Sequence, residues 1–544
     1  MQIQRMGLLG LILLLMFISG KVFSIVTPEY MISGQIFGAD GKAPILSHVH
    51  LTVINETYRN QVQLVKANPD GQFVMKIKNA GLYNLWIGAV NHESLRIPMV
   101  VTKNDQKITL KINLKQLPLK NTLDEIRILG DWYNFDNRKM EIMQRNDDGS
   151  YLYKGNANSN AVTYQLMGVV DDQLVPGTMA DAYDYDNNLG YRSILKVKPG
   201  PFEIIFKPSS LPRIVGKDLP KVSFDKTHVQ LEQIFNLTKQ YEQKAAESKN
   251  GLASTSDLDE LNIALEKDIH NGKNLLIRQF SAVYLIELLS LNRKPVHSDL
   301  GLDIINIMPA NSAFWGIEPN TAVIVGYSLL NEFPDLLKQF SELNPDPKVR
   351  AKALIAIANQ AKSSGDAQKV NQIYTELVKD YGSIKEIQYE LSMLNPNRRI
   401  DKDKPVPVFS VKLLGSGETV SNQSLLGKYY LLDFWATWCG RCRKEMSFLH
   451  DAYEKYHEKG FEILSLSLDD KPADVDKFRN GQWKMPWLHS FVEEGFDSQL
   501  MRDFEAKGLP KMIFIGPDGK IIASDWDLQA QNLEKTISKY LENP

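Results

Sequence analysis

The feature that most limits how this chain can fold is its cysteine content. The 544-residue sequence has two cysteines, Cys439 and Cys442, which stand on either side of a Gly-Arg pair. With no other thiol in the sequence, a framework of structural disulfides is excluded. The three-residue separation lets both sulfurs meet, at about 2 Å, on one turn of a helix. The sequence therefore predicts that both thiols belong to one redox centre.

The residues on either side of the pair predict a strand followed by a helix. Residues 430–435 are apolar except for Asp433, and the residues after Cys439 favour a helix with one apolar face. A helix N-terminus supplies free N–H groups and partial positive charge, both of which stabilise a thiolate. We expect Cys439 to be the exposed nucleophile and Cys442, one turn into the helix, to resolve the mixed disulfide.

The alternative for a lone Cys-X-X-Cys motif is half of a zinc site. A second half would require further cysteines or a suitable histidine cluster. No cysteines remain, and His450 and His457 on the following helix are not at a recognised ligand spacing. The sequence therefore predicts no metal at the pair.

The first residues have the pattern of a secretory signal. Arg5 supplies a positive charge, an unbroken apolar run covers 7–18, and Ser24 is a small residue suited to cleavage. The run is too short for a typical membrane span, and Lys21 ends it. We expect residues 1–24 to be a signal peptide and the mature chain to be exported to the periplasm or cell envelope. The alternative is an uncleaved N-terminal anchor.

Length and patterning predict a multidomain protein. Short alternating runs with Gly/Asp turns indicate a β-sandwich over 25–118 and a second, early-set immunoglobulin-like sandwich over 119–222. Helical periodicity indicates an all-α domain over 223–400, and the redox pair lies in an α/β domain over 401–544. The formal net charge of −2 argues against binding of nucleic acid, which would require a basic face.

The last domain resembles a known family over about 140 residues. The stretch 433–442, with the sequence Asp-Phe-Trp-Ala-Thr-Trp-Cys-Gly-Arg-Cys, is similar to the active site of thioredoxins. Arg-Lys-Glu at 443–445, Gly-Leu-Pro at 508–510 and the stretch 514–521 resemble the TlpA-like and ResA-like reductases of the bacterial envelope. The resemblance implies a thioredoxin fold and a thiol–disulfide oxidoreductase without a cofactor. It also implies disulfide-containing protein substrates and a membrane-embedded electron donor.

The same resemblance assigns roles to three supporting residues. Asp433 matches a buried acid that moves protons to or from Cys442; the alternative is a polar residue at a strand edge. Pro510 matches a cis-proline that faces the disulfide, against an ordinary trans proline in a loop. Glu445 matches an acid that tunes the thiols, against an exposed helix residue one turn after Arg441.

Three further residues, and the strand beside the buried acid, bear on the redox properties. Arg441 and Trp438 are expected to tune the pair, since a positive charge between the cysteines stabilises a thiolate. Lys511 stands where the family usually has Thr and could favour the thiolate or an acidic partner. The strand 465–469 lacks the lysine that thioredoxins place beside the buried acid. Asp433 is therefore expected to have no lysine partner.

Weaker signals lie outside the redox motif. The cluster of Asp181, Asp184 and Asp186 could bind calcium, but a solvated turn is the favoured interpretation because the usual Gly and Glu are missing. His48 and His50 share one face of a strand and lack a third ligand. Two groups of aromatic residues have a functional and a packing interpretation. The first group could stack on a sugar or pack in a core: Trp132, Tyr133 and Phe135. The second could dock a partner or pack in a core: Trp483, Trp487 and Phe491.

Two other functions compete with a disulfide reductase. A peroxidase of the related peroxiredoxin group would have Thr and Pro where this chain has Ala436 and Leu432, so it is discounted. The remaining alternative is an envelope scaffold, in which the β domains bind a glycan or protein partner and the redox domain is accessory.

Arg441 leads to a prediction about the reduction potential. Stabilising the thiolate makes a disulfide more oxidising, and thioredoxin-like and DsbA-like behaviour differ by about 150 mV. Because only one positive charge is added between the cysteines, and because the family that the domain resembles works as reductants, we expect a potential nearer the reducing end. Equilibration with glutathione buffers measures it, and a DsbA-like potential would refute the prediction.

Overall fold

The computed structural model describes residues 29–120, 122–171, 173–211, 220–249, 255–481 and 483–542. The predicted signal peptide, residues 1–24, lies outside these ranges. Within them, the helices are all too short or too polar to cross a membrane. The chain divides into two compact units, the first running to Asp366 with Glu376–Ile387, and the second comprising Ala367–Thr375 with Gln388–Pro544.

The first β segment of the first unit folds into two sheets around one core. The strands Gln72–Ile77 and Lys107–Asn113 show the alternation of exposed and buried residues that the sequence predicts for a sheet with one solvent-exposed face. The strands are β1 (Tyr30–Phe37), β2 (Ser47–Val53), β3 (Gln63–Lys66), β4 (Gln72–Ile77), β5 (Gly81–Ala89), β6 (Leu95–Val101) and β7 (Lys107–Asn113).

The second β segment has its own core, separate from that of the first. It forms a three-stranded sheet, in the order β10-β11-β16, and a larger sheet, in the order β14-β15-β12-β8-β9 with β13 also paired to β12. The strands from here to the first helix are β8 (Arg127–Gly130), β9 (Glu141–Ile142), β10 (Gln144–Arg145), β11 (Tyr151–Ala157), β12 (Ala161–Val170), β13 (Gln173–Val175), β14 (Ala182–Tyr185), β15 (Tyr191–Lys196), β16 (Gly200–Phe206) and β17 (Lys221–Phe224).

Strand β17 returns to the first β segment. It pairs antiparallel with β7, so that the first sheet has the order β17-β7-β1-β4, while β3-β2-β5-β6 forms the second. The second β segment is therefore an insertion between two neighbouring strands of one sheet. The predicted boundary at 222/223 falls inside β17.

Helices follow β17 to the end of the first unit. Buried residues of α1 to α7 join those of the first two sheets in one continuous core, so the helical region and the first β segment are packed together. The helices up to the second unit are α1 (Val229–Lys249), α2 (Thr255–Asn271), α3 (Leu275–Leu291), α4 (Ser298–Ile307), α5 (Asn320–Ser328), α6 (Leu336–Leu343), α7 (Pro347–Ser363) and α8 (Ala367–Tyr381), the last of which spans the division.

The second unit is built on a five-stranded sheet. Its order is β22-β21-β20-β23-β24, with β20, β21 and β22 parallel and β23 and β24 antiparallel to their neighbours. A two-stranded ribbon of β18 and β19 precedes it. The strands are β18 (Ser410–Lys412), β19 (Thr419–Ser421), β20 (Tyr429–Trp435), β21 (Phe461–Ser467), β22 (Leu488–Phe491), β23 (Lys511–Ile515) and β24 (Ile521–Ser524).

Helices cover both faces of this sheet. Residues of α10, α11 and α13 pack with Leu431 and Trp435 of β20, whereas α12 packs on the opposite face with Leu432 and Phe434. Since side chains alternate along a strand, Asp433 belongs to the face covered by α10. The helices are α9 (Gln388–Leu394), α10 (Gly440–Tyr456), α11 (Pro472–Gly481), α12 (Gln499–Asp503) and α13 (Gln531–Leu541). This is the α/β arrangement that the resemblance implies for the last domain.

Candidate active site

The two cysteines form a disulfide at the N-terminus of α10. The sulfurs are 2.05 Å apart, and Cys439 is the N-cap residue, whose Sγ accepts the N–H of Cys442 at 3.1 Å. Cys439 is 7% exposed and Cys442 is 1% exposed. The order of accessibility is as predicted, although both residues are buried. In the dithiol form the same helix terminus would stabilise a thiolate on Cys439.

A buried carboxylate holds the loop that precedes the cysteines. Asp469, just past the end of β21, accepts the backbone N–H of Thr437 at 3.1 Å and its hydroxyl at 2.5 Å. The other side of the carboxylate accepts the hydroxyl of Ser467 at 2.7 Å. Two parallel strands therefore fix the loop from their carboxyl ends, the edge at which α/β sheets place functional groups.

Asp433 is buried in the centre of the sheet, beneath α10. It is 1% exposed, and burial raises the pKa of its carboxyl group to about 7. The hydroxyl of Ser465, its register partner on β21, donates to Oδ2 at 3.0 Å, and Trp487 Nε1–H donates to that hydroxyl oxygen at 2.9 Å. Asp433 therefore has Ser465, and not a lysine, as its neighbour on β21. A carboxyl with a pKa near neutrality can both accept and release a proton.

Glu445 lies half-buried on α10, one helical turn after Cys442. Its Oε2 accepts the backbone N–H of Ala530 at 2.7 Å, which joins α10 to the segment before α13. Its negative charge also contributes to the raised pKa of Asp433. The position is therefore not that of a fully exposed helix residue, which was the alternative.

Pro510 and Lys511 lie where the chain enters β23. The Leu509–Pro510 peptide bond is cis, in agreement with the resemblance. Lys511 is 6% exposed, and burial lowers the pKa of its ammonium group, while Asp525 acts in the opposite direction. Its Nζ lies 2.8 and 2.9 Å from the carboxylate oxygens of Asp525. The suggestion that Lys511 is available to an acidic partner is therefore wrong, because Asp525 already holds its charge.

The aromatic residues near the site divide into packed and exposed ones. Trp487 is buried, and Trp483 and Phe491 are partly buried against the same core, which supports the packing interpretation of that group. Trp438, immediately before Cys439, is 58% exposed and lies 6.4 Å from the ring of Phe496, centroid to centroid. The exposed aromatic surface beside the disulfide is formed by this pair.

The candidate sites of the first unit are occupied by internal contacts. His48 and His50 each bond to a tyrosine of the second β segment, and burial lowers the pKa of His48 to about 4. Asp186 accepts the N–H groups of Asn188 and Gly190, as a solvated turn would. Across the described ranges, acidic, cysteine and histidine side chains form no group of three suited to a metal ion.

The first aromatic group is also packed. Trp132 stacks on Tyr153 at 5.1 Å, and Arg192 lies 3.8 Å over the ring of Phe135. Tyr133 is the exposed member, at 36%. These contacts favour the packing interpretation over sugar stacking.

Comparison with known proteins places the site in a family. A family model described as thioredoxin-like matches residues 427–521. Thiol-disulfide oxidoreductase ResA of Oceanobacillus iheyensis is 32% identical over 133 residues, which cover 24% of this chain and 67% of ResA. Tryparedoxin of Trypanosoma brucei brucei is 36% identical over 118 residues, which cover 21% of this chain and 80% of tryparedoxin.

The chain is a thioredoxin-like thiol–disulfide oxidoreductase. Among solved structures, the thioredoxin domain of a thiol-disulfide oxidoreductase from Bacteroides vulgatus is 29% identical, with a TM-score of 0.25; the match covers 26% of this chain and 99% of that domain. The C-terminal domain of this oxidoreductase has the thioredoxin fold, and it acts on disulfide-containing substrates.

Two side chains of the oxidoreductase site are not identified from sequence. Ser465 and Asp469 lie on and just after β21, and the sequence does not give the parallel register that sets Ser465 against Asp433. A signal for Asp469 exists, because a polar residue directly after a buried strand belongs at the functional edge of an α/β sheet.

The raised pKa of Asp433 predicts a dependence of stability on pH. An exposed Asp has a pKa of about 3.9, so between about pH 4 and pH 7 the unfolded chain loses a proton that the folded, oxidised domain keeps. The free energy of unfolding should therefore fall as the pH rises through this range. Asp433→Asn cannot ionise and should gain in stability relative to the wild type over the same range. Calorimetry measures this stability at each pH, and the unfolding transition of the redox domain is the one whose temperature shifts when dithiothreitol is added. A difference in stability between the two proteins that stays constant with pH would contradict the prediction.

The Ser465 hydroxyl predicts a second effect on the same carboxyl group. Its hydrogen bond favours the charged form and lowers the pKa of Asp433. Ser465→Ala should therefore raise that pKa above about 7. Infrared difference spectra against the Asp433→Asn protein follow the protonated carboxyl as the pH is raised. A midpoint unchanged by Ser465→Ala would show that the hydroxyl does not affect the proton.

Proposed function

We propose that this oxidoreductase is an exported enzyme that reduces disulfides of envelope proteins through the dithiol of Cys439 and Cys442. The observation that carries the proposal is the buried Asp433 carboxyl, with a pKa of about 7, in the strand that leads to a disulfide at a helix N-terminus. Such a carboxyl can take up the proton that the second thiol must lose.

The reaction proceeds in two exchanges. The thiolate of Cys439 attacks one sulfur of the substrate disulfide; a mixed disulfide forms, and the other substrate sulfur leaves as a thiolate that takes a proton from water. Cys442 then loses its proton to Asp433 and attacks the Sγ of Cys439, so that the second substrate sulfur leaves as a thiolate, which also takes a proton from water. Two electrons pass to the substrate, and the Cys439–Cys442 disulfide found in the structure is the product form.

The remaining residues of the site support these steps. Arg441 and Trp438 tune the thiols from the segment that carries the cysteines. Glu445 adjusts the proton affinity of Asp433, which its charge raises. Pro510, in its cis peptide, leaves the neighbouring backbone available to an incoming chain.

The rest of the chain brings the redox domain to its partners. The β segments are immunoglobulin-like sandwiches that present a protein or glycan partner, and the helical region connects them to the thioredoxin domain. The electron donor that restores the dithiol is embedded in the membrane. The redox domain, 401–544, follows these segments, and the signal over 1–24 is removed on export.

Insulin reduction separates this proposal from the scaffold alternative. With dithiothreitol as the reductant, the wild-type chain should accelerate the precipitation of insulin. Cys439→Ser should lose that acceleration, because the attacking sulfur is gone, while any partner binding by the β segments should be retained. A wild-type chain without activity towards insulin or any other protein disulfide would favour the scaffold.

Trapping identifies the substrates. Cys442→Ser removes the resolving thiol, so the mixed disulfide on Cys439 should accumulate in cells. The trapped species should be envelope proteins that dithiothreitol releases, and Cys439→Ser/Cys442→Ser is the matched control. Capture of cytoplasmic proteins alone would refute export.

A further inference from the structure

A groove of about 670 Å³ lies beside the disulfide, within the second unit. Arg441, between the two cysteines, lines it together with Leu509 and Pro510, which precede β23. Helix α9 contributes Tyr389 and Met393 to another part of the wall. A polypeptide segment in this groove would therefore flank the disulfide that Cys439 attacks.

The charges at the floor of the groove neutralise one another. Lys511 is held by Asp525, and Arg398 lies 3.7 Å from Asp525 and 3.6 Å from Glu505. Glu505 also accepts the backbone N–H of Arg399 at 2.9 Å. These four side chains form ion pairs with one another inside the unit, and their charges sum to zero.

The third carboxylate of the lining already accepts a hydrogen bond from the backbone. Glu445 accepts the N–H of Ala530. In contrast, three cations of the lining are exposed and form neither an ion pair nor a side-chain hydrogen bond with any residue that the structure describes: Arg441, Lys444 and Lys507. The rim of the groove therefore has uncompensated positive charge, even though the whole chain carries −2.

We propose that this groove binds an acidic segment of the substrate protein, next to the cysteine under attack. Apolar atoms of Tyr389, Met393 and Leu509 contact the backbone and side-chain stems of the segment, and its carboxylates pair with Lys444 and Lys507. Charge complementarity selects this occupant, because five cations and three carboxylates line the groove and leave it a net charge of +2. The inference rests on the proposed function and adds to it a class of substrate.

A matched set of peptides tests the preference. Each peptide carries one disulfide, and the residues on both sides of its cysteine are glutamates, glutamines or lysines. The rate constant for reduction by the reduced full-length chain is measured after acid quenching, by chromatography of the released thiol. We expect the glutamate peptide to react about fivefold faster than the glutamine peptide, the effect of two exposed ion pairs. The lysine peptide should be the slowest, and added salt should reduce the differences.

Two double variants with the same change in charge locate the effect. Lys444→Gln/Lys507→Gln should bring the ratio of the glutamate and glutamine rates close to one. Lys428→Gln/Lys459→Gln should leave that ratio at its wild-type value, because Lys428 and Lys459 precede β20 and β21, at the ends of these strands remote from the cysteines.

The outcomes separate the two proposals. Equal rates for all three peptides, or a glutamate preference that survives Lys444→Gln/Lys507→Gln, would overturn the acidic-segment proposal and leave the reductase intact. A chain that reduces none of the peptides would overturn the proposed function, and this inference with it.

Discussion

The burial of one carboxyl group organises the redox domain. Asp433 is in the middle strand of a five-stranded sheet, covered by the helix that begins at the cysteines. An ionised carboxylate is costly in such a place, so the group retains its proton to near-neutral pH. Neighbouring groups then shift the pKa of Asp433 in opposite directions. The hydrogen bond from Ser465, whose hydroxyl oxygen accepts the N–H of Trp487, moderates the cost, while the charge of Glu445 increases it. The proton affinity of the site is thus set by neighbours on separate segments of the chain.

A second carboxylate provides rigidity instead of proton transfer. Asp469 accepts hydrogen bonds from the loop before the cysteines and from its own strand. The loop and the buried acid are therefore both hydrogen-bonded to residues on or just after β21. Any displacement of that strand would change the position of Cys439 and the environment of Asp433 together. The two features are mechanically coupled, although they act on different chemistry.

The sequence predicts the parts of this site that are contiguous. The strand, the turn and the helix around Cys439 follow from hydrophobic periodicity, and Asp433 is recognised because it interrupts an apolar run. Features that depend on pairing between distant segments are beyond such reasoning. Lys511 meets Asp525 only after a hairpin closes, and the register of β20 against β21 selects Ser465. The same limit explains β17: four residues do not reveal that their partner is a strand more than a hundred positions earlier.

The return of β17 to the first sheet has a consequence for how the chain acquires its structure. The sheet β17-β7-β1-β4 lacks an edge strand until residue 224 has emerged, and by then the whole second β segment has been synthesised. That segment has a separate core and can fold first as an inserted body. Completion of the earlier sheet therefore waits for the later one. If the protein crosses a membrane as an extended thread, its N-terminal sheet would be the last part of this region to close, and its open edge would need protection from other strands until then.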